Sequence, residues 1–148
     1  MFKRILVAID GSEVSTNALQ HAINLAQEQH ATLCILNVID EYMPSTGDTI
    51  IDIDKFAQAL NELSQQILDN ATKMARQASI EFEVKSSLLE PLQGRIADRI
   101  VEIATEWKTD LIVIGSHGRH GFQRLLLGSV ADTVIRITTI PVLLIHGQ

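Results

Sequence analysis

Three glycines and a serine are the residues of this chain whose types and spacing best suit chemistry. Gly115 is followed by two residues and Gly118, then by nine residues and Gly128, which directly precedes Ser129. Ahead of them Leu111 to Ile114 form an apolar run that reads as a buried strand. Behind them Val130, Val134 and Ile137 recur at helical spacing. Strand, glycine loop and helix in that order present backbone N–H groups and the positive end of a helix to an anion, above all a phosphate. A glycine at a strand end lets the backbone take positive φ and lets a ligand approach without meeting a Cβ. Gly128 removes bulk at the helix start, and Ser129 offers both an N–H and a hydroxyl. The pattern is neither a Walker loop, which needs Gly-Lys-Ser/Thr, nor a GxGxxG opening a first helix. On residue chemistry alone, a second reading stays open: the glycines only turn the chain, and Ser129 only caps the helix.

Other polar residues fall near the same place. Asp10 follows the apolar run ILVAI and can accept from a ribose hydroxyl or help hold a metal that bridges phosphates. Alternatively it closes an Asx-type turn with Gly11 and Ser12. His117 lies inside the Gly115–Gly118 turn, and His120 reads as a solvated loop residue. Neither pairs with another His or Cys at metal-ligand spacing. Arg119 and Arg124 can pair with phosphate oxygens or remain solvated, while Leu125 to Leu127 read as packing for the loop. No G-x-S-x-G elbow, Ser/His/Asp set or Walker lysine occurs. The residues therefore favour a binder over a catalyst.

The elements that must position these residues are legible along the chain. Arg4 to Ile9 and Thr32 to Val38 are continuous apolar runs, as strands covered on both faces require. Between them Ala18, Leu19, Ala22, Ile23 and Ala26 mark one face of a helix capped by Ser12 or Ser15. Residues 39–53, with Pro44 and Gly47, read as the longest irregular connection, either a lid or a surface loop. A long helix follows from Asp54, with Phe56, Leu60, Leu63, Ile67, Ala71, Met74 and Ala78 as a core stripe. Ile80 to Leu89 alternates and suits an edge strand. Glu90 to Gly94 is a turn, and Ile96, Ile100, Ile103 and Trp107 share a helix face. The last strand is Ile140 to Ile145, with Pro141 acceptable at its start. Five strands alternate with four helices, so the fold class is α/β: one doubly wound domain over residues 1–148, with a five-stranded parallel sheet and helices on both faces. Ligands of such sheets bind beyond the strand C-termini, where the strand order switches direction.

Composition bounds the function. The chain has 148 residues, 46% apolar and 20% charged, with a formal net charge of −6. That is globular, and it disfavours nucleic acid or an anionic membrane as the main partner. No apolar run approaches the roughly 20 residues that span a bilayer, and the N-terminal run is too short for a signal peptide. Cys34, the single cysteine, sits in an apolar run and reads as a small buried hydrophobe. A cytoplasmic location is expected.

Taken together, G-x2-G-x9-G-S at Gly115, Gly118, Gly128 and Ser129, KRILVAIDGS from Lys3, LCILNVID from Leu33 and IPVLLI from Ile140 resemble the nucleotide-binding branch of the universal stress protein family. The resemblance covers essentially the whole chain. It implies a strand order of 3-2-1-4-5, which places Asp10 opposite Gly115. It implies ATP or a related adenine nucleotide, with Mg or Mn, in a crevice formed by Ala8, Asp10, Val38, Ile114, Gly115, His117, Gly118, Gly128, Ser129, Val130 and Ala131. The backbone of Val38 would meet the adenine edge. Ala8 stands where some nucleotide-binding members have proline, which alters the packing beside the base. The resemblance further implies a stress-response homodimer joined through the last strand, Pro141 to Ile145, and leaves room for an unidentified protein partner. The alternatives on the same scaffold are slow ATP hydrolysis at Asp10, adenylyl or phosphoryl transfer, and an interaction module with a vestigial loop.

Overall fold

The computed structural model describes residues 1–40, 52–90, 92–117 and 127–147. The elements run β1 (Arg4–Ala8), α1 (Glu13–Gln29), β2 (Thr32–Asp40), α2 (Ile53–Gln77), β3 (Phe82–Leu89), α3 (Ile96–Glu106), β4 (Leu111–Gly115), α4 (Ser129–Ile137) and β5 (Val142–Ile145). All four strand pairings are parallel, and the order across the sheet is β3-β2-β1-β4-β5. The chain winds from β1 out to β3, then returns to the other side of β1 for β4 and β5. The switch therefore falls between β1 and β4, where Ala8 is in register with Ile114.

Two apolar layers sandwich the sheet. Ile5, Val7, Leu33, Ile35 and Val113 point to one side, where α1 and α2 bring Leu19, Ile23, Leu68 and Ala71. Leu6, Cys34, Leu36, Ile112 and Ile114 point to the other, against Ile100, Ile103 and Trp107 of the α3 region and Val134 of α4. The central strands are buried on both faces, which is why they read as unbroken apolar runs. Arg4 stacks its guanidinium 3.9 Å over the Trp107 ring and donates through Nε to the Trp107 carbonyl. Asp110 Oδ2 accepts from the N–H groups of Lys3 and Arg4, tying the start of β1 to the start of β4.

The structure shifts several boundaries. β2 continues past Val38 to Asp40, because β3 pairs with it as far as Leu89. α2 begins at Ile53, capped by Asp52, whose side chain accepts from the N–H groups of Asp54 and Lys55. The expected irregular connection thus loses residues at both ends, and its centre, 41–51, lies outside the described residues. β3 is an edge strand, as its alternation suggested, but it starts at Phe82. Its buried positions are Ser87 and Leu89, while Val84 is exposed. Of the alternating apolar residues, Ile80 and Phe82 pack against the core beneath α1 and α2.

Candidate functional site

A cavity of about 410 Å³ opens at the C-terminal ends of β1, β2 and β4, within the roughly 300–1,000 Å³ of small-molecule sites. Ala8 at the end of β1, Val38 two residues before the end of β2 and Ile114 one residue before the end of β4 are among its lining residues, and Ile96 and Ile100 of α3 add apolar surface. Asp10, Gly115, Ser116 and His117 line it where β1 and β4 run out. Gly128, Ser129, Val130 and Ala131 bring in the start of α4. Every residue expected in the crevice therefore lines one cavity, except Gly118. That residue lies outside the described set, with Arg119, His120, Arg124, Leu125 and Leu126.

At the β1 end the local sequence builds a turn and a helix cap together. Ser12 N–H donates to Asp10 Oδ1 at 2.9 Å, forming the Asx-type turn, and Gly11 takes φ +83°. Ser12 is the N-cap of α1, its hydroxyl accepting from Ser15 N–H at 3.1 Å. Ser15 is instead a buried brace: its Oγ donates to the Ser12 carbonyl and accepts from Asp10 N–H at 3.2 Å. Asp10 is therefore held through both backbone and carboxylate at the cavity wall.

Gly115 serves a purpose that the sequence did not show. Its φ is not in the left-handed region. A Cβ there would stand 2.8 Å from Val14 Cγ1 of α1, so its lack of a side chain lets α1 close onto β4. Ser129, a candidate cap, is the first residue inside α4. The cap is Gly128, at φ −61° and ψ 151°, with no side-chain hydrogen bond. The first turn of a helix carries N–H groups without intrahelical acceptors, and among the described residues no capping side chain covers them. Gly128 N–H is spent elsewhere, donating to the Ser116 carbonyl and joining the end of β4 to the start of α4.

Whether these residues fit a phosphate is tested by Ser116. Its side chain is buried beside that junction and lines the cavity, yet among the described residues its Oγ has no hydrogen-bond partner. A buried hydroxyl left without a partner costs free energy, and an anion at the α4 N-terminus would supply an acceptor. The positive helix end, the bare cap and this hydroxyl suit a phosphate. The apolar floor between β1, β2 and α3 suits a flat base. Among the described residues no group of three His, Cys, Asp or Glu side chains could hold a metal ion. A divalent ion here would rest on Asp10 together with ligand oxygens.

Two features escaped the sequence reading. Leu60, Leu63 and Ile67, expected as core, are half-buried and line the cavity, whereas Leu68, Ala71 and Ala75 form the buried part of α2. Periodicity looks the same for a core stripe and a cavity wall. The second feature is the buried pair Asn37 and Ser64, which also lines the cavity. Its only sequence signal is a lone amide inside the apolar run LCILNV.

The family model described as "Universal stress protein family" matches residues 1–146 of this chain. The chain belongs to the universal stress protein family. Universal stress protein MJ0531 of Methanocaldococcus jannaschii is 36% identical over 98% of this chain and 82% of its own length. Among solved structures, a universal stress protein in complex with cAMP is 29% identical, with a TM-score of 0.70 and coverage of 98% of this chain and 97% of that one. The Archaeoglobus fulgidus universal stress protein in complex with dAMP is 25% identical, with a TM-score of 0.64 and 97% coverage of both chains. Universal stress proteins of this fold thus include two solved with adenine nucleotides. The strand order expected from the family resemblance is the one observed.

Proposed function

We propose that this universal stress protein binds ATP, or a related adenine nucleotide, at the C-terminal end of its sheet and acts as a nucleotide-dependent regulatory homodimer in the stress response. The observation that carries the reading is the first turn of α4, uncapped among the described residues, beside the Ser116 hydroxyl that finds no partner among them, both at a cavity with an apolar floor. In this reading the backbone of Val38 meets the adenine edge, and Asp10 takes the ribose hydroxyls. Backbone N–H groups of Gly115, His117 and Gly118, and those of Ser129, Val130 and Ala131, surround the triphosphate, and Gly128 leaves the helix end free of side-chain bulk. A bound Mg or Mn ion would neutralise phosphate charge, with Asp10 as a protein carboxylate beside it. The cAMP and dAMP complexes of related proteins support an adenine nucleotide in this crevice. A cytoplasmic setting fits Cys34, a buried free thiol. Among the described residues no helix is long and apolar enough to cross a membrane.

The test is thermal unfolding with Mg-ATP, AMP, cAMP, GTP or no addition, beside mass spectrometry of any nucleotide released on denaturation. A ligand at about 100 times its Kd adds roughly 2.7 kcal/mol of stability, a clear rise in Tm. Adenine nucleotides should give that rise and GTP at the same concentration a smaller one. No shift and no released nucleotide would overturn the reading.

A further inference from the structure

The end of β1 is held by a side chain where a strand ladder would normally hold it. Ile9 N–H donates to the Leu36 carbonyl at 2.9 Å, and Leu33 N–H donates to the Glu81 carbonyl. Backbone groups of alternate residues in a parallel strand face opposite neighbours. Along β2 the odd positions therefore turn to β3 and the even ones to β1. Val38 is even, so its N–H and C=O face the β1 side, just beyond the point where β1 leaves the sheet. The next bond of that ladder would join Val38 N–H to the Ile9 carbonyl. Instead, Asn37 Nδ2 donates to that carbonyl at 2.8 Å.

The amide is fixed in this orientation. A backbone carbonyl only accepts, so the NH₂ must face Ile9, and Asn37 Oδ1 then accepts from Ser64 Oγ of α2 at 2.7 Å. Ser64 Oγ also lies 3.3 Å from Ser86 Oγ of β3. Asn37 and Ser64 are both buried. Three elements thus brace one peptide carbonyl, the one immediately before Asp10.

We propose that Asn37 is the positioning residue of the nucleotide site: by capturing the Ile9 carbonyl it ends the β1–β2 ladder, leaves the Val38 backbone turned to the base and fixes Asp10 for the ribose. The inference rests on the adenine-nucleotide reading above. Without the Asn37 amide, the Ile9 carbonyl is open to Val38 N–H. Closing that bond would pull Asp10 toward β2 and withdraw a donor from the base. Ser64 acts one step further out, by holding the amide.

The experiment compares dissociation constants of the wild-type chain and Asn37→Leu for ATP, GTP and 2′,3′-dideoxy-ATP, with circular dichroism to establish folding. The wild type should prefer ATP over each analogue by about tenfold or more, the effect of one hydrogen bond to a charged or well-placed group. In Asn37→Leu both preferences should fall to within about twofold of unity. A merely structural role would weaken all three ligands alike, keep the preferences and overturn the inference, as would a wild type that shows no preference. If Asn37→Leu does not fold, Ser64→Ala is judged instead: both preferences dropping about threefold supports the inference, and unchanged preferences overturn it. A wild-type chain that binds none of the three removes the adenine-nucleotide reading itself.

Discussion

Gly128 caps α4 without a side chain, and that choice separates binding from stability. Its φ of −61° and ψ of 151° are open to any L residue. Gly128→Asp would place a capping carboxylate on the uncovered N–H groups, favoured by the helix dipole, and should stabilise the ligand-free protein by a few tenths of a kcal/mol. The same carboxylate occupies the place of a phosphate. The expected result is an unchanged or slightly higher Tm without ligand and no rise on adding Mg-ATP. A variant that keeps the rise would move the phosphate away from α4. Cys34 supports a second prediction at this scale. Burial raises its thiol pKa from 9.0 to about 12. Below pH 9 the thiol is protonated in both folded and unfolded chains and adds no pH dependence. Above pH 9 the unfolded chain releases a proton that the folded chain keeps, so stability should fall, by up to about 1.4 kcal/mol per pH unit, until the folded thiol ionises near pH 12. Denaturant midpoints from pH 8 to pH 11 should fall more steeply for the wild type than for Cys34→Ala. Thiol reagents should label Cys34 only on unfolding.

Among the elements, α2 divides most sharply between structure and site. Leu68 is buried between helix and sheet, and Leu68→Ala should cost about 2–5 kcal/mol. Leu60, two turns earlier, lines the cavity and is only half-buried. Leu60→Ala should cost under about 1.5 kcal/mol of stability, yet reduce the Tm rise given by a fixed ATP concentration. Urea titrations of both variants with and without Mg-ATP check this, and equal stability losses would return Leu60 to the core. The contrast also marks what the sequence could carry. Strand runs, helix faces and the glycine-serine spacing were legible because parallel strands buried on both faces and amphipathic helices each leave a period. The division of one stripe between core and cavity was not, since a 3.6-residue period records only that a face is apolar. The cap was misplaced by one residue because a serine before an apolar run fits the pattern at either position. The tasks of Gly115 and Asn37 depend on Val14 and Ile9, which only the tertiary fold brings alongside.

For the whole molecule the question is which sheet edge meets a second copy. β3 interleaves Glu83, Lys85 and Ser86 among its apolar residues, a composition that discourages edge-to-edge pairing. The other edge, β5, is VLLI, with no charge along it. Its Leu143 is exposed, and so are Ile135 and Ile137 of the preceding helix. A short apolar edge flanked by exposed isoleucines suits a self-complementary twofold contact, so the homodimer proposed above is expected to form through Pro141 to Ile145. Sedimentation should give about twice the 16.4 kDa chain mass. Leu143→Asp sets two like charges against each other across the twofold axis, and should shift the protein to monomer at micromolar concentration. Leu143 is absent from the cavity lining, so the monomeric variant should keep its Tm rise with Mg-ATP. Loss of both properties together would mean that the site needs the second copy, and a dimer that survives Leu143→Asp would place the contact on another face.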